Sequence, residues 1–253
     1  MVPKNLIIVG YARSGLTILN RCLASDSRLI CLSEINTRYI CPTQPNLPHQ
    51  QLKEWYGIGI ESGSIMSELE QTIKYSNNGR KPLIVRDWSF GSFVPLKYNN
   101  LQPSMTLNTI DDLNKTFPGQ FKVVCMVRNP IDVWLSMRYS EKNFYDKELV
   151  FLMNFVSDVL KRQIPIIKYE DFCLDPKMVL REIYRTVDLE IPNSIRLSNN
   201  VIGDINYPKS SRGATLNQII SLPRRTVSAD DSSFLNEHTC AKKIADLLGY
   251  SIQ

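Results

Sequence analysis

The feature that most constrains the fold of this chain is the run Asn5 to Gly10 (NLIIVG), followed at once by Tyr11-Ala12-Arg13-Ser14-Gly15-Leu16-Thr17. An apolar run that ends in glycine and gives way to a polar turn reads as a strand buried on both faces. From Leu16 to Leu23 the apolar residues recur at helical spacing. Strand, glycine-bearing turn and helix, in that order, make half of a right-handed crossover that returns to a parallel neighbour. Further strands are therefore expected beside the first.

Leu29 to Leu32, Pro82 to Arg86 (PLIVR), Phe121 to Val127 (FKVVCMV) and Ile164 to Tyr169 (IPIIKY) supply them. The strand ending at Val127 also runs into a polar turn and a helix, which starts near Pro130, where proline suits the first turn. Asp175-Pro176 reads as an N-cap followed by proline at the first helical position, and a last helix is expected over Ser233 to Leu248. The alternation predicts an α/β fold, a central parallel sheet flanked by helices. The length of 253 residues suits one domain over 1–253. Within it, about 42–80 reads as an insertion of helices and loops, because Pro42 to Asn78 is rich in Pro, Gly, Ser and Gln. Asn99 to Asn108 and Asn199 to Arg212 read as loops, the kind of segment that carries binding surfaces on a rigid scaffold.

Thirty basic against 25 acidic side chains leave a net charge of +5, dispersed along the chain. That is too mild for a nucleic-acid footprint and better suited to a small polyanionic ligand. No stretch approaches the ~20 apolar residues of a spanning helix, and Met1 to Lys4 lacks the start of a secretory signal. No membrane partner and a cytoplasmic location are the expectations. The six cysteines (Cys22, Cys31, Cys41, Cys125, Cys173, Cys240) show neither C-x-x-C spacing nor nearby histidines. Free buried thiols are expected, with no metal site and no disulfide framework.

The turn from Gly10 to Thr17 follows a strand and opens a helix, the context of a phosphate-binding loop. Gly10 and Gly15 let backbone N–H groups close around an anion, helped by the helix N-terminus. In a nucleotide triphosphatase Leu16 would be lysine; here the cation is Arg13, while Ser14 and Thr17 offer hydroxyls. A tight strand-helix turn with an exposed arginine is the alternative. The second motif is Arg128-Asn129-Pro130-Ile131-Asp132-Val133-Trp134-Leu135-Ser136. An arginine ending a strand and a serine about two helical turns onward can converge on one phosphate. Asp132 would repel an anion and suits a cap or an ion pair near the helix start.

In Arg13-Ser14-Gly15-Leu16-Thr17 the chain resembles the sulfotransferase family, whose 5'-phosphosulfate loop has Lys or Arg followed by Ser-Gly-Thr-Thr/Ser; it departs at Leu16. Arg128 to Ser136 resembles that family's 3'-phosphate motif, R-N-P-x-D-x-x-x-S, without departure. Lys168-Tyr169-Glu170-Asp171 with Asp175-Pro176 is similar to its Y-E-D-x-x-x-x-P stretch, in which the tyrosine lies near the adenine. Ser211-Arg212-Gly213 resembles its C-terminal R-x-G element over the 3'-phosphate, and Arg224 and Arg225 compete for that role. The resemblance implies a P-loop-like fold, 3'-phosphoadenosine-5'-phosphosulfate (PAPS) as donor with PAP as product, and sulfuryl transfer to a hydroxyl or amine of a small-molecule acceptor.

Sulfuryl transfer needs a cation by the departing phosphate, for which Arg13 is the candidate, and a base by the acceptor. Many cytosolic members use histidine, but neither His49 nor His238 falls in a recognisable motif. Glu34 lies just after the second strand. There the chain resembles the protein-tyrosine sulfotransferases over Arg13 to Arg38, which place a catalytic glutamate at a matching position. Asp87, in Arg86-Asp87-Trp88-Ser89, is the second candidate, with Trp88 as an acceptor-side wall or core. Glu54, Glu61, Glu68 and Glu70, near Trp55 and Tyr56, read either as a site for a cationic acceptor or as a solvated helix face. Two rival functions stand beside sulfotransfer: a P-loop kinase-like phosphotransferase, which Leu16 disfavours, and a non-catalytic PAPS- or PAP-binding module.

Overall fold

The computed structural model describes residues 4–40, 47–95, 102–140, 145–198 and 217–251. Five strands, β1 (Asn5–Val9), β2 (Ile30–Ile35), β3 (Leu83–Asp87), β4 (Phe121–Val127) and β5 (Ile166–Lys168), form one sheet in the order β2-β3-β1-β4-β5. Every pairing is parallel. The first strand lies at the centre, as its apolar run requires: side chains of opposite parity bury on opposite faces. Ile7 and Val9 join one core cluster with Val85, Cys125 and Val127, while Leu6 and Ile8 join the other with Ile84, Val124 and Met126.

Helices cover both faces. On one face lie α1 (Leu16–Leu23), α8 (Tyr169–Leu174) and α9 (Pro176–Thr186). The other carries α2 (Pro48–Tyr56), α3 (Ile65–Gly79), α4 (Phe90–Phe93), α5 (Asn108–Thr116), α6 (Pro130–Ser140), α7 (Tyr145–Lys161) and α11 (Thr239–Leu248), with α10 (Ala229–Glu237) packed alongside through Phe234 and Leu235. Full burial of a Leu or Ile side chain stabilises by about 1.5–3 kcal/mol, so this two-faced core dominates the fold.

The expected helix over Leu16 to Leu23 and the strand over Phe121 to Val127 form with those bounds. Asp175 caps α9, accepting from the Met178 N–H at 3.0 Å. Two expectations are corrected. The last helix is two, broken at His238, because Ser228 starts α10 with a capping box and His238 ends it, its Nδ1 2.9 Å from the Phe234 carbonyl oxygen and its ring stacked on Phe234. The strand expected to reach Tyr169 stops at Lys168, and Tyr169 opens α8.

Among the described residues of 42–80 lie the helices α2 and α3, and α2 runs antiparallel to β2. Gln51 Oε1 accepts from the Ser33 N–H at 2.7 Å and Gln51 Nε2 donates to the Ser33 carbonyl at 2.6 Å. Lower on the strand the Tyr56 hydroxyl meets the Cys31 N–H at 2.7 Å and carbonyl at 3.1 Å. The outward backbone groups of this edge strand are thus satisfied by side chains.

Candidate active site

The C-terminal ends of β1, β3 and β4 lie side by side, so the loops that follow them share one edge of the sheet. After β1 the backbone turns sharply: Arg13 has φ 71° and Gly15 φ 93°, both left-handed, and the Ser14 N–H closes the turn on the Tyr11 carbonyl at 3.2 Å. Gly15 caps α1 without a side-chain hydrogen bond. A Cβ on Gly15 would stand 2.2 Å from Tyr169 Cδ2, so glycine here answers both a conformational and a steric demand. A non-glycine residue such as Arg13 in this region costs roughly 1–2 kcal/mol, the kind of strain found at functional sites.

The two motifs singled out in the sequence meet at this edge. Arg13 Nε donates to Ser136 Oγ at 2.9 Å, and Arg128 Nη1 reaches the Arg13 carbonyl at 3.5 Å. The Arg128 guanidinium lies over the Tyr169 ring, 4.9 Å from its centroid. Its Nε is buried with no hydrogen-bond partner among the described residues. A buried guanidinium N–H left unsatisfied is costly, and an anionic oxygen is the partner its charge and fork geometry fit. Asp132 forms an ion pair near the start of α6, accepting from Arg224 Nε at 2.9 Å. The segment carrying Arg224 passes close to Tyr169, whose hydroxyl donates to the Ile220 carbonyl at 3.4 Å. Arg212 and Gly213 lie outside the described residues.

At the end of β2 the register slips by one residue between Leu32 and Ile35, and Glu34 takes φ 58°. The bulge turns Glu34 toward β3, where it forms an ion pair with Arg86, which also donates to Ser33 Oγ at 3.0 Å. Asp87 sits differently. It is 2% exposed, and its carboxylate accepts from Ser89 Oγ at 2.6 Å and Thr109 Oγ1 at 2.5 Å. Burial pushes it up to about 6, opposed by those two hydroxyls and assisted by the charge of Glu34. Ser89 Oγ in turn accepts from the Gly10 N–H at 3.4 Å, so Asp87 is tied to the start of the loop after β1. Trp88 is half-buried and its N–H extends the ladder to the Ile35 carbonyl at 2.8 Å.

The acidic residues of the insertion do not form one patch. Glu68 is 0% exposed and accepts from the backbone N–H of His49 (3.1 Å) and Gly63 (2.9 Å), with His49 Nδ1 at 2.8 Å. Glu70 pairs with Lys74 one turn on, and Glu54 and Glu61 are exposed. Glu68 is therefore neither a solvated helix face nor part of an acceptor recess. The His49–Glu68 pair escaped the sequence reading because its partners come from different helices. The pairing of Glu34 with Arg86, likewise unforeseen, follows from adjacency of the parallel strands β2 and β3.

Among the described residues no cluster of ligating side chains could hold a metal ion, and five cysteines are free, three of them buried. No described helix is long and apolar enough to cross a membrane.

Sheet order, helices on both faces and the strand-loop-helix edge define the class: an α/β protein of the P-loop-like type. A family model described as "Sulfotransferase family" matches residues 4–193. The chain belongs to that family and is a sulfotransferase. Solved structures share the fold. The sulfotransferase domain from the Synechococcus PCC 7002 olefin synthase is 17% identical, with 99% of this chain and 97% of that chain covered and a TM-score of 0.55. The sulfotransferase domain from the curacin biosynthetic pathway is also 17% identical, with coverage of 100% and 99% and a TM-score of 0.55. A sulfotransferase from Alicyclobacillus acidocaldarius is 12% identical, with coverage of 100% and 98% and a TM-score of 0.52. No curated protein matches the sequence.

Proposed function

We propose that this sulfotransferase takes its sulfuryl group from PAPS and passes it to a hydroxyl or amine of a small molecule. The observation that carries the reading is the junction of the two motifs, with Arg13 on Ser136 and Arg128 on the Arg13 carbonyl. PAPS carries anionic groups at the 5' and 3' positions of one ribose, and two cation-bearing loops on neighbouring strands suit both at once. Gly10, Arg13, Ser14, Gly15, Leu16 and Thr17 hold the 5' end, and Arg128 with Ser136 holds the 3'-phosphate. Tyr169 flanks the adenine. Arg212 and Gly213, or Arg224 and Arg225 in their place, close over the 3'-phosphate.

When bound, the donor supplies an activated sulfuryl group whose bond to the 5'-phosphate oxygen breaks as the acceptor attacks. Arg13 places positive charge beside the departing phosphate. Glu34 takes the acceptor's proton, with Arg86 fixing its orientation. Asp87 has both oxygens occupied by hydroxyls inside the protein, so its part in the reaction is to hold Ser89 and Gly10 in place. The free thiols suit a reducing compartment, the cytoplasm.

The test is transfer of radiolabelled sulfate from PAPS into a metabolite extract in the presence of excess chelator. A labelled product supports the reading and identifies the acceptor. No labelled product from PAPS, together with magnesium-dependent phosphoryl transfer from ATP, would favour the kinase-like alternative. Tight PAP binding with no transfer to any acceptor would leave a binding module.

A further inference from the structure

Three consecutive residues, Lys168, Tyr169 and Glu170, connect the 3'-phosphate motif to the C-terminal turn. Tyr169 lies against the Arg128 guanidinium. Glu170 Oε1 accepts from the Asn129 N–H at 3.0 Å, and Glu170 Oε2 accepts from the Tyr250 hydroxyl at 2.7 Å. Lys168 Nζ donates to the Gly249 carbonyl at 2.9 Å and stands 4.5 Å from the Tyr250 ring centroid. The local sequence places Tyr250 there. Gly249, at φ 66°, ends α11, and the Tyr250 N–H returns to the Ala245 carbonyl at 2.8 Å, folding the chain back over the helix end.

Neither oxygen of Glu170 is spare: one orients the backbone directly after Arg128, and the other is fixed by a phenol. Burial and the neighbouring carboxylate raise the Tyr250 hydroxyl well above its ordinary range, so it stays a donor at any physiological pH. Without Tyr250, Glu170 could rotate, and the Asn129 peptide would lose the acceptor that sets the departure of Arg128 from β4.

We infer that Tyr250, acting through Glu170, is a positioning residue for recognition of the nucleotide's 3'-phosphate, so the C-terminal turn is part of the donor site. The inference rests on the PAPS reading above. Its specific consequence is selectivity: removing the phenol weakens binding of nucleotides with a 3'-phosphate and spares those without one.

Adenosine 3',5'-bisphosphate and adenosine 5'-monophosphate differ only in that phosphate, and titration calorimetry of each against the full chain reads the difference. Tyr250→Phe keeps the ring on Lys168 and removes only the hydroxyl. It should raise the Kd for the bisphosphate about five- to tenfold, the net size of one ordinary hydrogen bond felt through Glu170, and leave the monophosphate Kd within about twofold. Glu170→Gln retains an oxygen for the Asn129 N–H and an N–H for the Tyr250 oxygen, so it should preserve the affinity ratio, whereas Glu170→Ala should reduce it as Tyr250→Phe does. Thermal melts separate these effects from unfolding. Equal losses for both nucleotides, or no loss in Tyr250→Phe, overturn the inference alone. A wild-type protein that does not prefer the bisphosphate overturns the donor reading as well.

Discussion

Arg13 Nε and Ser136 Oγ are 2.9 Å apart across 123 residues of sequence. One belongs to the loop after the central strand, the other to the second motif's helix. Their hydrogen bond ties the two motifs together, so changes at one should be felt at the other.

Arg128→Ala should weaken PAP binding by about 2–4 kcal/mol, the loss of a charge-assisted contact from a buried position. Calorimetry against PAP measures it directly, and an unchanged affinity would remove Arg128 from the site.

Glu34→Gln should abolish turnover while leaving nucleotide affinity intact, because the substitution keeps the shape at the bulge and removes the base. Paired PAP titration and sulfate-transfer assays separate the two effects. Surviving turnover in Glu34→Gln together with its loss in Asp87→Asn would exchange the two roles.

Asp87 gives the protein a pH signature. Its folded value of about 6 lies above the ordinary 3.8, so the protonated form is favoured by folding. The resulting stability is fully present below the ordinary value and is lost as pH rises through about 6, a change on the order of 3 kcal/mol. Denaturant melts between pH 4 and 7 should show this slope in the wild type and a flatter one in Asp87→Asn.

Gly15→Ala should lower both stability and PAP affinity. The left-handed backbone alone costs about 1–2 kcal/mol, and the added methyl would collide with the Tyr169 ring. Gly57, at φ 66° with nothing within 4 Å of an added Cβ, is the control. Gly57→Ala should show only the conformational part in a thermal melt and bind PAP as the wild type does.

What the sequence disclosed follows the range of the forces involved. Buried strands such as NLIIV and FKVVCMV carry their own signal, since apart from Asn5 and Lys122 their residues are apolar whichever face they meet. That the loop from Gly10 to Thr17 and the segment from Arg128 to Ser136 come together was legible because both follow strands of one parallel sheet, which puts their turns at the same edge. The break at His238 was not, because it depends on a ring stacked on Phe234 and on a cap at Ser228, neither of which interrupts the apolar periodicity. Glu68 reads as an ordinary surface glutamate until α2 and α3 are brought together. Asp87 and Glu34 both stand at strand ends in the sequence, Glu34 as the first candidate base and Asp87 as the second. Burial and two hydroxyls set one apart, and a bulge with an arginine partner sets the other.

The side-chain cover over β2 limits how the molecule can grow. Gln51 and Tyr56 occupy the hydrogen-bonding positions that a sixth strand would use at Ser33 and Cys31. Sheet extension between copies is therefore blocked at that margin, and a truncation of the insertion would trade a sealed boundary for an adhesive one.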